Sequence, residues 1–385
     1  MTFSDFDRVL TANYARMPVE WVRGEGTSLF EVDGTEYLDF QTGLAVNALG
    51  HCHPDITQAI TEQATRLSHV GNLFYNEPMA LLAQRLVEHS FGERVFFTNS
   101  GTEAVEAALK CARKRKRGGK IVSVHRGFHG RTYGALSATP QEEKQAPFAP
   151  LVPGFVAVEP TAGALTTEID DGTAAVILEP VQGESGVWVL SDEILQAARE
   201  ACDKHGAALI FDEVQCGLGR TGKLWGYEYS GVVPDAMTLS KALGGGLPLG
   251  ALVCGPEMAD VFAPGDHGST FAGGPVQCAA ANVVLDHVTD KKLLKLVTEN
   301  GERLREALAE LPQVTEVRGR GLMVAAELEG VSAPALVKQL FSEQHLVANA
   351  TGPTTLRLLP PLIVSAAEID DSVARIRLCL GSEER

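Results

Sequence analysis

Two side chains with complementary chemistry follow apolar runs in the middle of the sequence. The run AALIF ends abruptly at Asp212, and a second run, AMTLS, is followed by Lys241 and then by ALGGG. Such runs are typical of buried parallel strands, and open α/β sheets bind their ligands beyond the carboxyl ends of those strands. A carboxylate and an amine are therefore expected at one edge of one sheet.

These two groups together suit one kind of cofactor. An ionised carboxylate pairs with a protonated ring nitrogen, and an amine forms a Schiff base with an aldehyde. Pyridoxal phosphate presents both groups, and the glycines after Lys241 let a ligand approach the backbone closely. We therefore expect Asp212 and Lys241 to hold pyridoxal phosphate.

A candidate phosphate site lies earlier in the chain. RVFFTN has the pattern of a strand and EAVEAALKCARKRK that of a helix, so Ser100, Gly101 and Thr102 precede or begin a helix. Free N–H groups and the helix dipole bind an anion there, and two hydroxyls add hydrogen bonds. The structural alternative, Ser100 as an N-cap with Glu103 completing a capping box, fits this motif equally well. Thr270, in the glycine-rich HGSTFAGGP, is a second candidate phosphate ligand, although such hydroxyls more often cap turns.

The segment RGFHGRTYG contains two further candidates. Phe128 stands between polar residues on a glycine-flanked turn, which suits a platform that stacks on a planar ring. Arg131 has no acid nearby in the sequence, so a ligand carboxylate is a natural partner. The alternative for Arg131 is an ordinary surface arginine.

Two acids and an arginine complete the candidates. Glu179 and Glu184 follow the buried run AAVIL, where paired acids either perform acid–base chemistry or hydrogen-bond the backbone. Arg357 lies within TLRLLPPL, and a buried guanidinium needs an anionic partner. Glu184 or a substrate carboxylate can supply that partner.

The patterning divides the chain into three parts. Residues 1–45 are expected to form an arm and a small-domain segment, with a hairpin at Asp33-Gly34. Residues 46–275 alternate strands and helices as a large cofactor-binding domain, and 276–385 form a smaller α+β domain. Residues 140–170 are interpreted as a surface excursion. The loop GNLFYNEP carries Asn72, Phe74 and Tyr75, which face either substrate or the edge of the fold.

The composition excludes several classes of partner. The chain has 33 basic and 49 acidic residues, a net charge of −16, which argues against nucleic acid or an anionic membrane as a partner. No segment has membrane-spanning length, and the acidic N-terminus does not resemble a signal peptide, so a cytoplasmic location is expected. The seven cysteines are scattered without a CxxC, which predicts reduced thiols.

No metal site is predicted. His51, Cys52 and His53 are consecutive in GHCHP, and consecutive side chains point in different directions. The sequence shows no second cluster that would supply the remaining ligands.

Seven motifs in order, SGTEA, FHGRT, LEPVQGESG, FDEVQCGLGRTG, SKALGGGLPLG, HGSTF and LRLLPPL, resemble the class III (ornithine-type) pyridoxal-phosphate aminotransferases over essentially the whole chain. The resemblance implies the fold type I of these transferases: an α/β large domain with a mostly parallel seven-stranded sheet between helices, plus a smaller α+β domain. It implies transfer of the terminal amino group of N2-acetyl-L-ornithine to 2-oxoglutarate, giving N-acetyl-L-glutamate 5-semialdehyde and L-glutamate in arginine biosynthesis.

The resemblance also implies roles for individual residues. Lys241, Asp212 and Glu184 form the implied catalytic set. The cofactor-binding set comprises Ser100, Gly101, Thr102, Phe128, Glu179, Asp212, Val214, Gln215, Lys241 and Thr270, of which Thr270 completes the site of the neighbouring subunit in a homodimer. Arg131 and Ser269 match positions that receive the acylated substrate. Arg357 matches the arginine that binds the α-carboxylate of glutamate or 2-oxoglutarate, with Glu184 as its alternate partner.

Two positions depart from the family pattern, and other functions remain open. Cys216 stands where threonine is usual, and AGGP replaces GGNP, but neither departure is at a residue with an implied role. Succinylornithine, ornithine, lysine or 4-aminobutyrate would satisfy much of the same pattern. Loss of Asp212 or Lys241 would favour a non-catalytic sensor or scaffold on this fold, but both are present. A nicotinamide dehydrogenase is disfavoured because no GxGxxG follows the first strand.

Overall fold

A computed structural model describes residues 3–381 of the 385-residue chain. The predicted segments 1–45 and 276–385 include a few residues that lie outside the described part, namely 1–2 and 382–385. Within the described part of the chain, no helix is both long and apolar enough to span a bilayer. All seven cysteines are free thiols, as the sequence predicts.

The helices vary from single turns to five turns in length. They are α1 (Phe3–Val9), α2 (Thr42–Ala45), α3 (Pro54–Arg66), α4 (Glu77–Glu88), α5 (Gly101–Arg115), α6 (Tyr133–Ser137), α7 (Glu142–Gln145), α8 (Ala162–Glu168), α9 (Asp192–His205), α10 (Pro256–Ala259), α11 (Pro275–Val288), α12 (Lys291–Ala309), α13 (Ala333–Gln344) and α14 (Ala366–Gly381). Short 3-10 turns span Ala146–Phe148, Gly226–Tyr229 and Lys241–Gly244.

The strands form three four- to seven-stranded sheets and one short ribbon. They are β1 (Arg23–Glu25), β2 (Ser28–Phe30), β3 (Glu36–Asp39), β4 (Arg94–Thr98), β5 (Lys120–Val124), β6 (Phe155–Val158), β7 (Thr173–Leu178), β8 (Val181–Gln182), β9 (Trp188–Val189), β10 (Ala208–Asp212), β11 (Ala236–Leu239), β12 (Gly250–Cys254), β13 (Val314–Arg320), β14 (Met323–Leu328), β15 (Leu346–Val347), β16 (Asn349–Ala350) and β17 (Thr355–Leu358).

A seven-stranded sheet forms the centre of the molecule, with strand order β4-β12-β11-β10-β7-β5-β6. Only β12 runs antiparallel to its neighbours, so the predicted mostly parallel seven-stranded sheet is confirmed. Every residue of β7, β10, β11 and β12 is buried. Their sequences are continuous apolar runs because helices cover both faces of such a sheet.

The strand directions determine where the functional side chains lie. Strands β5, β7, β10 and β11 are parallel neighbours, so their carboxyl ends meet along one edge. Asp212 is the last residue of β10, and Lys241 follows β11 by two positions. The helix α5 begins after β4 with Ser100 as its N-cap. One edge of the sheet therefore gathers the candidates that follow β4, β5, β7, β10 and β11.

The remaining sheets belong to the two ends of the chain. β13, β14, β17 and β16 form an antiparallel sheet packed against α12 and α13, which is the predicted α+β arrangement. β1, β2 and β3 form the predicted hairpin region and pair with β15, so the N-terminal segment joins the C-terminal part. The helix α11 packs on α3 and α4. The domain boundaries at 45/46 and 275/276 stay predictions.

The surface excursion expected at 140–170 is partly wrong. These residues include the edge strand β6, which pairs in parallel with β5, and the helix α8, which packs against α9. All four residues of β6 are only partly buried, as expected at a sheet edge.

Candidate active site

A cavity of about 240 Å³ opens at the carboxyl edge of the seven-stranded sheet. It is bounded by the loops after β5, β7, β10 and β11 and by the first turn of α5. The lining residues are Gly101, Thr102, Phe128, His129, Gly130, Arg131, Glu179, Glu184, Asp212, Val214, Gln215, Ser240 and Lys241. The structure therefore brings Asp212 and Lys241 into one site, although they lie on different loops.

Three donors orient the Asp212 carboxylate. Oδ1 accepts hydrogen bonds from the backbone N–H of Val214 and from Oγ1 of Thr238, each 3.1 Å long. Oδ2 lies 2.8 Å from Nδ1 of His129. Since each carboxylate oxygen can accept two hydrogen bonds, Oδ2 retains a lone pair for a ring N–H in the cavity.

His129 is the residue that the sequence analysis missed. Its imidazole is fully buried and contacts Asp212 at the cavity wall. Burial alone would lower the pKa of His129, but the hydrogen bond to Asp212 and the charges of Asp212 and Glu179 raise it overall. A signal was present, because His129 stands in FHGRT between two residues already identified as candidates.

Lys241 begins the 3-10 turn after β11 in a backbone conformation that is unusual for a lysine. Its φ is +46°, in the left-handed region that non-glycine residues rarely adopt. Such strain persists only where the surrounding structure imposes it, and it is frequent at functional sites. Burial lowers the pKa of the Lys241 amine, with the charge of Glu184 acting against this and that of Arg357 adding to it.

Glu184 lines the cavity and forms a salt bridge with Arg357, which lies behind it and does not itself line the cavity. Nη1 of Arg357 lies 2.8 Å from Oε1 of Glu184 and also donates to the carbonyl oxygen of Gly183. The arginine side chain is 1% exposed and the glutamate side chain 25% exposed. The structure thus brings together the pair that the sequence analysis proposed as partners. The other terminal nitrogen of the Arg357 guanidinium, Nη2, donates to Oδ1 of Asn349 at 2.7 Å.

Gln215 connects this pair to the loop after β10. Its amide nitrogen donates to Oε1 of Glu184 at 3.2 Å, and its oxygen accepts from Arg357 at 3.4 Å. A Cβ at Gly183 would lie 1.7 Å from Oε1 of Gln215, so this approach requires glycine. Burial would raise the pKa of Glu184, but the charges of Arg357 and Lys241 and the hydrogen bonds from Arg357 and Gln215 lower it to about 2.

Glu179 holds two loops together through the backbone. Its carboxylate accepts from the N–H of Phe128 at 2.8 Å and from that of Gly183 at 3.3 Å. Glu179 therefore hydrogen-bonds the backbone, which was one of the two alternatives for the paired acids. Burial raises the pKa of Glu179 to about 7, with the charge of His129 acting in the opposite direction.

At the start of α5, the N-cap alternative is present, and the anion site stays a prediction. Ser100 Oγ accepts from the N–H of Glu103 at 3.4 Å, and the Glu103 carboxylate accepts from the N–H of Asn99 at 2.6 Å. This is a capping box displaced by one residue, because the glutamate reaches past the N-cap. Gly101 and Thr102, but not Ser100, line the cavity.

The residues implied to contact substrate lie in different places. Arg131 is exposed, lines the cavity and stands 5.7 Å from the centre of the Phe128 ring. Ser269 and Thr270 do not line the cavity of their own chain. Ser269 Oγ accepts from the Asn99 amide, and Thr270 is exposed.

The loop with Asn72, Phe74 and Tyr75 lies beside Ser269. The amide of Asn72 donates to the carbonyl oxygens of Ser269 and Ala272, at 3.0 and 2.9 Å. Phe74 and Tyr75 are 65% and 98% exposed. These aromatic side chains therefore face outward in the isolated chain.

The donor set of the cavity fits pyridoxal phosphate. The buried Asp212 offers a free lone pair at one wall, and the partly buried Lys241 offers an amine. The first turn of α5 presents backbone N–H groups that no intrahelical carbonyl can satisfy, next to the Thr102 hydroxyl. A ring nitrogen, an aldehyde and a phosphate therefore each find a matching group.

The chain is similar to proteins of one family over nearly its whole length. Residues 9–380 match the model of the class-III aminotransferases. An acetylornithine aminotransferase from Caldanaerobacter subterraneus is 46% identical over 377 residues, covering 95% of each chain. Two solved structures are similar across 98% of this chain. An ornithine aminotransferase from Toxoplasma gondii, described with partial occupancy of PLP at its active site, has a TM-score of 0.93 at 33% identity, covering 93% of that chain. An acetylornithine aminotransferase from Elizabethkingia anophelis has a TM-score of 0.87 at 32% identity, covering 97% of that chain.

The similarities to known proteins and the groups that line the cavity indicate the same family. Each of the two solved structures aligns with almost the whole of this chain, which confirms the expected transferase fold. The chain belongs to the class-III aminotransferases, and it is a pyridoxal-phosphate-dependent enzyme.

Proposed function

We propose that this enzyme transfers the terminal amino group of N2-acetyl-L-ornithine to 2-oxoglutarate, giving N-acetyl-L-glutamate 5-semialdehyde and L-glutamate. The observation that carries the proposal is the salt bridge between the buried Arg357 and Glu184, which lines the same cavity as Lys241. A transaminase of this kind binds two different substrates in turn. The Arg357 guanidinium is free to bind one substrate when Glu184 moves away, and it is neutralised by Glu184 when the other substrate is bound. The name of the 46% identical relative supports the choice of amino donor.

Arg357 is proposed to bind the α-carboxylate of 2-oxoglutarate and glutamate. Its guanidinium is held by Gly183, Glu184 and Asn349, so its orientation is fixed before substrate arrives. A planar guanidinium binds a carboxylate through two parallel hydrogen bonds. When the amino donor is bound, Glu184 pairs with Arg357 instead, and the cavity does not expose a bare cation to it.

When bound, pyridoxal phosphate supplies an aldehyde that links to amines and a ring that accepts electrons. Lys241 would hold that aldehyde through its amine, and the same amine, when free, would act as the base that moves a proton. Its lowered pKa favours the neutral amine that this role requires. Asp212, oriented by its three donors, is proposed to keep a proton on the ring nitrogen.

The other cavity residues are proposed to position the cofactor. Gly101 and Thr102 bind the phosphate at the start of α5, with Ser100 fixing that turn as its N-cap. Phe128 covers one face of the ring, held in place by Glu179 through its N–H. Val214 and Gln215 also line the cavity, and Gln215 would bind the phenolic oxygen of the cofactor.

Arg131 is proposed to bind the carboxylate of the acylated donor. It is exposed at the mouth of the cavity, where a carboxylate far from the reacting amine would lie. Acetylornithine carries its carboxylate and blocked amine at that far end. A substrate without a carboxylate there would gain nothing from Arg131.

The enzyme is also proposed to be a homodimer in which Ser269 and Thr270 serve the neighbouring site. Both lie outside the cavity of their own chain, and Thr270 is exposed. The adjacent Phe271 is 66% exposed and Tyr75 98% exposed. Exposed aromatic side chains of this kind are typical of a surface that a second copy covers.

We further propose a cytoplasmic location. All seven cysteines are free thiols, six of them buried, as is usual in a reducing compartment. Cell fractionation tests this, and recovery of the enzyme with secreted proteins would contradict it.

A substrate panel tests the proposed function. With 2-oxoglutarate as the acceptor, kcat/KM for acetylornithine is expected to exceed that for ornithine and 4-aminobutyrate. Succinylornithine is the sharpest competitor, because an acyl pocket distinguishes the two only weakly. A higher kcat/KM for any of these three competitors would assign the enzyme to that sister activity. An inactive protein that still binds the cofactor would instead favour a sensor.

A further inference from the structure

Three potential metal ligands cluster on the surface of two packed helices, away from the residues that line the cavity. His53 is the N-cap of α3, and Asp55 is in its first turn. His287 is in the last turn of α11. Nε2 of His287 lies 2.9 Å from Oδ2 of Asp55, and Nδ1 of His53 lies 4.0 Å from the same oxygen.

The separations suit a small cation after a modest contraction. The ligand atoms of the three residues all lie within 4.8 Å of one another. Tetrahedral Zn²⁺ with bonds of about 2.0–2.1 Å places its ligand atoms about 3.3 Å apart. The Asp55 side chain is 57% exposed and that of His287 34% exposed, so both can move to close the gap.

His53 carries the observation that points to a ligand. Its side chain is 15% exposed, and its Nδ1 atom is buried without a hydrogen-bond partner. It also provides no side-chain cap to α3, which leaves this atom without an evident structural role. An unpaired buried nitrogen is costly, and a cation between His53, Asp55 and His287 would satisfy it.

We propose that His53, Asp55 and His287 bind one divalent transition-metal ion of the Zn²⁺ type. Two imidazoles and one carboxylate are a ligand set that this class of ion accepts, and water would fill the fourth position. Nε2 of His287 bonds to the ion through its lone pair, so the ring proton resides on Nδ1. Oδ2 of Asp55 changes its partner from that ring to the ion.

The ion would link α3 to α11 behind the Lys241 turn. Gly245, just after that turn, packs against Ile56 of α3 and Val284 of α11. Ile56 follows Asp55 directly, and Val284 is three residues before His287. The ion is therefore a structural clip for the two helices that support the turn, separate from the proposed chemistry.

Calorimetric titration with ZnCl₂ tests the proposal on the full-length, cofactor-loaded and tag-free enzyme after treatment with a chelator. We expect one Zn²⁺ per chain and a higher unfolding temperature in its presence. His53→Asn and His287→Gln should each weaken binding on the order of tenfold or more. The glutamine at 287 can still donate to Asp55, and the two variants lie on different helices, so a folding defect in one leaves the other decisive.

His205→Gln is the matched control. His205 pairs with Asp171 at 2.7 Å, which is a histidine–aspartate pair outside the proposed three-ligand cluster. This variant should bind Zn²⁺ as the wild type does, and it carries the same cofactor, so binding to the cofactor would be equal in all proteins. Absence of binding in the wild type, or equal binding in both site variants and the control, would overturn the proposal.

Discussion

Nδ1 of His129 donates a hydrogen bond of 2.8 Å to Oδ2 of Asp212 across a contact that is almost completely buried. An ionised carboxylate can only accept, so the proton lies on the imidazole. His129 follows β5, Asp212 ends β10, and β7 lies between these strands in the sheet. The contact therefore connects the loop after β5 to the end of β10, which are not neighbours in the sheet, and fixes the direction in which the carboxylate faces the cavity.

Replacing His129 is expected to weaken cofactor binding. A hydrogen bond to a charged group contributes about 1.5–3 kcal/mol, which corresponds to roughly a ten- to hundredfold change in affinity. We expect His129→Ala to lose affinity within this range when the apoenzyme is titrated with pyridoxal phosphate. His129→Gln retains an amide donor and should lose less. An alanine variant with wild-type affinity would show that the contact does not position Asp212.

Lys241→Ala is expected to fold and to lose both turnover and the absorbance of the lysine-linked cofactor. Removal of a general base lowers rates by about 10²- to 10⁴-fold, and here the covalent anchor is removed as well. Lys120→Ala is the control, because Lys120 begins β5 at the opposite edge of the sheet and bonds Glu168. Single-turnover assays and absorption spectra provide the measurement. Transaminase activity retained in Lys241→Ala would contradict the assignment of this residue.

The Glu184 carboxylate is expected to make stability depend on pH. Its pKa falls from the usual 4.5 to about 2 in the folded chain, where burial is outweighed by Arg357 and Lys241. A lowered pKa stabilises the folded state above pH 4.5, and this contribution is lost as the pH falls towards 2. The difference in free energy of unfolding between the wild type and Glu184→Gln should therefore shrink over that interval.

Denaturant titrations at several pH values measure this difference. Glu143→Gln serves as the control, because the Glu143 side chain is 84% exposed. Its effect should be small and constant. A difference for Glu184→Gln that does not change between pH 7 and pH 3 would show that its carboxylate does not gain from Arg357 in the folded state.

Hybrid dimers test the role of Thr270. Thr270→Ala should weaken cofactor binding about tenfold if its hydroxyl bonds the phosphate. In a dimer of one Thr270→Ala chain and one Lys241→Ala chain, the only lysine-containing site would receive its threonine from the other chain. Cofactor affinity at that site should return to the wild-type value. Affinity that stays low in the hybrid, or a monomer in sedimentation, would contradict the shared site.

The main features of the site could be predicted because they depend on local patterns. Continuous apolar runs ending in Asp212 and Lys241 identified two strand ends, and parallel strands place such ends on one edge. The N-cap at Ser100 followed from the same kind of pattern. The resemblance to one family supplied the number of strands and the candidate roles.

The remaining features depend on contacts that are distant in the sequence. His129 and Asp212 are 83 residues apart, and Asp55 and His287 are 232 apart. The edge strand β6 gave no periodic signal because it has four residues, all partly buried. The reversed direction of β12 is not encoded in its apolar run, since buried strands of either direction have the same composition.

The pairing of Arg357 with Glu184 has a consequence for ions in the surrounding solution. Because Arg357 is already paired with Glu184, the carboxylate of an incoming substrate replaces that of Glu184 at the guanidinium. The charge around the guanidinium therefore hardly changes. Chloride or inorganic phosphate would have to displace Glu184 without matching its planar shape. Activity in the amino-donor half of the cycle should therefore be largely insensitive to the choice of buffer anion.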